Sequence, residues 1–153
     1  MAWIFSMWIE TGEDESAGQA ILDYFDNLSI LKTDGKQYKL YTHKQGQGNI
    51  ITVDRISRSG VNSLNDAMEM TKIGFEFYNL LKSAPKFRYA MVGVEVDEFR
   101  NWNELVEEPN DIQLFKGLVI RKDLYQYLGS PGTLVEFKDD YLWTLYEGES
   151  YPE

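Results

Sequence analysis

Acid–base chemistry in this sequence would depend on one histidine. His43 is the single imidazole of the chain and stands at the end of a predicted strand, and imidazole is the side chain that most readily exchanges a proton near neutral pH. It would need an acid to orient it, and Glu95 and Asp97, which alternate on one face of a later predicted strand, are the first candidates. No nucleophile–base pair can be recognised by spacing. We therefore predict no catalytic residues, and keep these three as the first candidates if the protein is an enzyme.

The composition excludes several kinds of cofactor site. The chain has no cysteine and one histidine, which excludes disulfides, thiolate zinc sites, iron–sulfur clusters and sites with several histidines. The acids do not follow the spacing of a calcium-binding loop. Gly46-Gln47-Gly48 is glycine-rich like a phosphate loop, but a predicted strand rather than a helix follows it, which favours a hairpin turn. The sequence predicts no metal and no cofactor.

The charge is negative and unevenly distributed. There are 25 Asp and Glu against 15 Lys and Arg, a net charge of −10, which argues against nucleic acid because its affinity comes mainly from neutralised phosphates. Eleven of the acids and only four of the basic residues lie within 101–153. An acidic segment attracts a basic protein partner and speeds its docking, although solubility alone would also explain such a charge.

Aromatic residues accompany these acids in the C-terminal third. Tyrosine and tryptophan carry much of the binding energy at protein interfaces, but ordinary core packing accounts for at least half of the aromatic residues. The predicted partner-binding residues are Trp102, Glu107, Glu108, Tyr125, Tyr127, Asp139, Asp140, Tyr141 and Trp143.

Apolar periodicity predicts an α+β fold. Ser16 and Ser63 each begin a capping box, and each is followed by helical spacing of apolar residues. The predicted elements are a strand at 2–9, a helix at 16–30, strands at 37–44 and 49–56, a helix at 62–83 and a strand at 87–96. This β-α-β-β-α-β order is that of a ferredoxin-like core with a mainly antiparallel sheet, in which the first and last strands would be central.

The rest of the chain predicts an αβαββ extension of that core. Its helices are expected at 101–108 and 122–128, and its strands at 113–120, 133–138 and 141–146. We predict a single domain over 1–153, with a core at about 1–98, an extension at about 99–147 and a frayed acidic tail at 148–153. The apolar opening is too short for a spanning helix or a signal peptide, which favours a cytoplasmic protein with no membrane partner.

Two functions remain open. The first is a non-enzymatic acidic protein-binding module, of the inhibitor or immunity type, that engages a basic partner through its C-terminal third. The alternative is a small-molecule-binding regulatory α+β domain, dimeric, with its ligand between the sheet and the extension. The broad apolar face of the predicted helix at 62–83 motivates the second.

Overall fold

The computed structural model describes residues 4–28, 30–33, 35–56, 60–96 and 99–151. Within them the chain forms one eight-stranded, fully antiparallel sheet together with four α-helices and a 3-10 helix. The strands are β1 (Phe5–Glu10), β2 (Ile30–Thr33), β3 (Lys36–Gln45), β4 (Gly48–Val53), β5 (Tyr89–Val94), β6 (Val119–Arg121), β7 (Val135–Lys138) and β8 (Tyr141–Trp143). The helices are α1 (Glu15–Leu28), α2 (Leu64–Leu81), α3 (Trp102–Glu107), the 3-10 helix (Pro109–Leu114) and α4 (Lys122–Tyr127).

The strand order is β2-β3-β4-β1-β5-β6-β8-β7. The α+β class predicted from periodicity is confirmed, and β1 and β5 lie at the centre of the sheet, as expected from their apolar sequences. Every residue of β1 is buried, because both faces of the sheet are covered there. The described part of the chain contains no helix that is long and apolar enough to cross a membrane.

Helices α1 and α2 cover one face of the sheet. Phe25 of α1 and Phe77 of α2 are fully buried in a core with Met7 of β1. The predicted cap of α2 is confirmed, since the Ser63 side chain accepts the Asp66 N–H at 3.0 Å.

Two details of the predicted first third are wrong. The cap of α1 is Asp14 and not Ser16, because the Asp14 carboxylate accepts the Ala17 N–H at 3.0 Å. This hydrogen bond lowers the pKa of the Asp14 carboxyl. The helix ends at Leu28, and Ile30–Thr33 form the edge strand β2. The predicted helix at 16–30 is therefore too long, since Ile30 already pairs with Lys39 of β3. Leu31, whose spacing also fits a helix, pairs with Tyr38 and is buried in the core.

The C-terminal extension covers the second face of the sheet. Leu105 of α3, Ile112 of the 3-10 helix and Leu128, which directly follows α4, form a separate core there with Trp8 and Tyr89. The helices and the final hairpin of the predicted αβαββ extension are present.

The predicted strand at 113–120 is wrong for most of its length. The 3-10 helix begins with Pro109, whose fixed φ suits the first helical turn, and extends to Leu114. Gly117 then adopts a φ of +89°, which a β-strand does not allow, so extended pairing begins only at Val119.

The segment after β8 packs along α2. The Tyr146 ring fills a notch at Gly74, where a Cβ atom would lie 2.5 Å from the tyrosine hydroxyl. The backbone N–H of Glu149, which lies in the predicted tail, donates to the Thr71 hydroxyl at 2.8 Å. This segment and the sheet therefore cover part of the broad apolar face of α2, whereas Leu64, Met68 and Phe75 stay about half exposed.

Candidate functional site

A cleft of about 650 Å³ lies between the β3–β4 turn and the beginning of α3. Four other cavities in the described part of the chain are smaller and measure about 100 to 350 Å³. We call the first of these the hairpin cleft. Its lining combines three aromatic rings, one ion pair, four carboxamides, a glycine and one further acid, namely Trp8, Phe99, Trp102, Glu10, Arg88, Gln45, Gln47, Asn101, Asn103, Gly46 and Glu13.

Strand register brings the polar lining together. Glu10 at the end of β1 pairs with Gly48 of β4, and Gly48 pairs with Gln45 of β3, so all three lie at one end of the sheet. Arg88 directly precedes β5, and its backbone N–H donates to the carbonyl of Glu10 at 2.8 Å. The neighbouring strands thus place the Arg88 and Glu10 side chains next to each other.

Arg88 and Glu10 form a two-point ion pair on the floor of the cleft. The Arg88 Nε donates to Glu10 Oε1 at 2.7 Å, and Nη2 donates to Oε2. The Glu10 side chain is 2% exposed and that of Arg88 is 22% exposed, so the guanidinium is the member of the pair that faces the cleft. The hydrogen bonds that Arg88 donates to Glu10 raise the pKa of the guanidinium, which therefore keeps its positive charge.

Arg88 also contacts the aromatic wall. Its guanidinium carbon lies 5.2 Å from the centroid of the Trp102 ring, a cation–π contact. Tyr127 lies 6.0 Å from the same ring at an interplanar angle of 35°. Trp102 therefore links the polar floor of the cleft to the surface of the extension.

Two glycines make room for this lining. The Trp8 ring lies so close to Gly48 that any Cβ atom there would overlap it. Gly12 has a φ of +71°, and a Cβ at that position would lie 2.9 Å from Arg88 Nε. Both close approaches require glycine for a steric reason, so the shape of the cleft is built into the backbone.

The structure separates the predicted partner-binding aromatics. Trp102 and Tyr127 lie together beside the hairpin cleft, and Tyr127 is 71% exposed. Tyr125 is buried, and its hydroxyl donates to the carbonyls of Pro131 at 2.9 Å and Gly132 at 3.0 Å.

The two remaining aromatics lie on the other face of the sheet. Tyr141 stacks on Phe87 with ring centroids 4.5 Å apart, and Trp143 packs beside Tyr78. Tyr141 is buried and Trp143 is half-buried, so these two rings serve the core. The five predicted aromatics do not form one surface.

The predicted acids are also spread over the extension. Glu107 is exposed at the end of α3, and Glu108 lies 3.8 Å from the Arg100 guanidinium. Asp139 and Asp140 are exposed in the turn between β7 and β8. Part of the acidic excess is neutralised locally.

Two ion pairs illustrate this local neutralisation. Asp111 accepts from Arg100 at 2.8 Å and Asp123 accepts from Arg121 at 2.6 Å. Each arginine lowers the pKa of its partner carboxyl.

The candidate acid–base residues do not assemble in the described part of the chain. His43 is exposed and lines a second cavity of about 320 Å³ with Tyr41 and Asp54. Glu95 follows β5 at a φ of +65° and is not part of that lining. Asp97 lies outside the described residues. Among the described residues no three His, Asp or Glu side chains are grouped so as to hold a metal ion.

No protein-family model, curated protein or solved structure matches this chain. The interpretation of the site therefore depends on its geometry. Sequence reasoning found Trp102 but missed Trp8, Glu10 and Arg88. The available signal was the hairpin at Gly46-Gln47-Gly48, which the structure confirms between Gln45 and Gly48, and which forms one wall of the cleft.

Proposed function

We propose that this protein binds a small polar ligand in the hairpin cleft, between the sheet and the C-terminal extension. The observation that carries the proposal is the Glu10–Arg88 pair at the base of an open cleft. Burying an ion pair contributes less to stability than apolar packing of the same volume, so its placement in a cavity with aromatic walls favours a role in recognition. Ligand sites typically combine such walls with a few placed polar groups.

A ligand screen by thermal shift would test this proposal. A compound that binds the native cleft and not the unfolded chain raises the melting temperature, and the shift grows with the ratio of its free concentration to its Kd. We expect at least one neutral or charged metabolite to raise it for the natural protein and not for Arg88→Met. Arg55→Met is the matched control, because Arg55 is an exposed arginine beside Asp54, after the opposite end of β4, and is not part of the cleft lining. The proposal would be contradicted if a compound raised the melting temperature of both variants equally, or if no compound raised that of the natural protein.

Binding of a basic protein is the second candidate function. It is supported by exposed apolar groups on the extension. Val106 lies one helical turn from Trp102, and Tyr127 packs against Trp102. The acid Glu107 follows Val106 in the sequence. An exposed aromatic anchor with an acid nearby suits a cationic partner. The immobilised protein should retain a basic protein at low salt and release it at high salt. Tyr127→Ala should reduce that retention, and retention that ignores both salt and Tyr127 would exclude this function.

We also propose a ferredoxin-like relationship for the first two thirds of the chain. It is supported by the order β3-β4-β1-β5 within the sheet and by α1 and α2 on one face. The edge strand β2 and the added strands β6, β8 and β7 make the whole sheet unusual for that fold. We also keep a cytoplasmic location and a homodimer as part of the proposal. Analytical ultracentrifugation, which measures the mass of the particle in solution, would test whether the protein is a dimer.

A further inference from the structure

The charges around the hairpin cleft favour a neutral ligand. Glu10 is compensated by Arg88, and Glu13 adds one more acid at the rim. An anionic ligand would be repelled by Glu13 and by a chain of net charge −10. A cationic ligand would meet the Arg88 guanidinium on the floor. A neutral polar molecule avoids both costs.

The aromatic rings in the cleft leave little flat surface for a planar base. Trp102 has Arg88 at 5.2 Å from its ring centroid and Tyr127 at 6.0 Å. Trp8 is only 7% exposed, and Phe99 contacts the Phe115 ring edge-on at 5.0 Å. Stacking of a nucleobase needs an open aromatic face. A non-planar ring, such as that of a sugar, presents C–H groups that can contact a partly covered aromatic face.

The rim of the cleft matches hydroxyl groups. Gln47 and Asn103 are exposed carboxamides on opposite sides of the cleft, one on the β3–β4 turn and one on α3. A carboxamide both donates and accepts hydrogen bonds, and so does a hydroxyl. Arg88 carries five N–H groups, of which two are directed at Glu10, and the others are donors suited to hydroxyl oxygens.

We infer that the ligand of the hairpin cleft is a neutral saccharide, held by Gln47, Asn103 and Arg88, with C–H groups of the sugar against the exposed part of the half-buried Trp102 side chain. This inference rests on the proposed ligand-binding function and specifies its substrate class. The cleft volume of about 650 Å³ falls within the roughly 300–1,000 Å³ typical of small-molecule sites. Because the floor is fixed by Gly12 and Gly48, the site exists before the ligand arrives.

Titration of the isotope-labelled protein by NMR would test the inference. The probes are glucose, galactose, mannose, N-acetylglucosamine, maltose, cellobiose and lactose, each added to saturation or into the millimolar range. We expect at least one to shift the indole N–H resonances of Trp8 and Trp102 in a saturable way. Gln47→Ala and Asn103→Ala should each weaken that binding about fivefold to tenfold, the effect of one hydrogen bond.

Gln126→Ala is the matched control, since Gln126 is an exposed carboxamide on α4 and is not part of the cleft lining. Unchanged melting temperatures would show that all three variants remain folded. Saccharide binding that Gln47→Ala and Asn103→Ala leave intact would overturn the inference.

Adenosine and N-acetylalaninamide, tested in the same way, separate this inference from the proposed function. If either one shifts the cleft resonances and no saccharide does, the saccharide inference fails and the ligand-binding function stands. If no saccharide shifts the cleft resonances, and neither adenosine nor N-acetylalaninamide does, the saccharide inference also fails. The thermal-shift screen then decides the broader function by itself.

Discussion

The ammonium nitrogen of Lys138 lies 3.0 Å from the carbonyl oxygen of Leu81, the last residue of α2. The same Nζ donates to the carbonyls of Lys82 at 3.2 Å and Ala84 at 3.4 Å. Carbonyls at a helix C-terminus have no partner within the helix, and a cation there also interacts favourably with the helix dipole. A residue of the extension therefore completes a helix of the core.

We predict that Lys138→Met lowers the free energy of unfolding by about 1–2 kcal/mol, because it removes these hydrogen bonds but keeps the aliphatic chain. Urea denaturation measures the change. Lys122→Met is the control, since Lys122 is exposed at the beginning of α4, where a positive charge is unfavourable for the dipole. Equal losses in the two variants would show that Lys138 does not cap α2.

The Glu10–Arg88 pair leads to a second prediction, about the free energy of unfolding of single and double variants. Removing one member leaves the other partly buried without a partner, so Glu10→Gln should cost about 2–3 kcal/mol, less than a fully buried pair because Arg88 is in part exposed. The double variant Glu10→Gln/Arg88→Met should lose less than the sum of the single losses. Denaturant titration of the three variants gives the coupling energy. Asp123→Asn, in an exposed pair with Arg121, should cost less than about 1 kcal/mol.

The elements that sequence analysis predicted well are those with a strong local pattern. The helix α2 has a clear cap at Ser63, and the β3–β4 hairpin has glycines at its turn. Strand β2 was missed because its assignment depends on pairing with β3, and the helical spacing of Leu31 outweighed a short strand signal. Local patterns predict elements, whereas partners across the sheet decide their limits.

The candidate site was harder to predict for the same reason. Glu10 and Arg88 are 78 positions apart, and only the antiparallel register of β1 and β5 makes them neighbours. Tyr125 and Tyr141 have the composition of interface residues, but their hydroxyls bond to backbone groups inside the protein. Residue type indicates what a side chain can bind and leaves open which face it occupies.

Gly48 predicts a steric effect on the cleft. A methyl group at this position would overlap the Trp8 ring, and neither the strand backbone nor the buried ring can move freely. We expect Gly48→Ala to destabilise the fold by about 2–3 kcal/mol and to change the fluorescence of Trp8. Gly46→Ala is the contrasting variant, because that site is open and only its φ of +58° disfavours alanine, at a cost of about 1 kcal/mol. A smaller loss for Gly48→Ala than for Gly46→Ala would contradict the packing described here.

The carboxyl of Glu149 predicts a pH dependence of stability. It is half-buried against α2 and β5, where it accepts the Tyr146 hydroxyl at 2.6 Å and the N–H of Val94. Burial raises its pKa above the ordinary value in spite of these hydrogen bonds, so the native state holds a proton that the unfolded chain has already released. The stabilising contribution of this group is complete below the unfolded pKa and is lost as the pH rises through the raised native pKa.

Glu149→Gln removes this titration and retains an amide oxygen that accepts the same two donors. The free energy of unfolding of Glu149→Gln, relative to that of the natural protein, should therefore rise as the pH increases from the ordinary glutamate pKa to above the raised native pKa, by about 1.4 kcal/mol for each unit by which the native pKa is raised. Glu147→Gln is the matched control, because Glu147 is exposed two residues away and lies 3.8 Å from Lys116. Its difference from the natural protein should stay nearly constant over that range. Parallel pH profiles for the natural protein and Glu149→Gln would mean that the buried carboxyl is ionised without cost, and that the C-terminal segment does not exclude water from it.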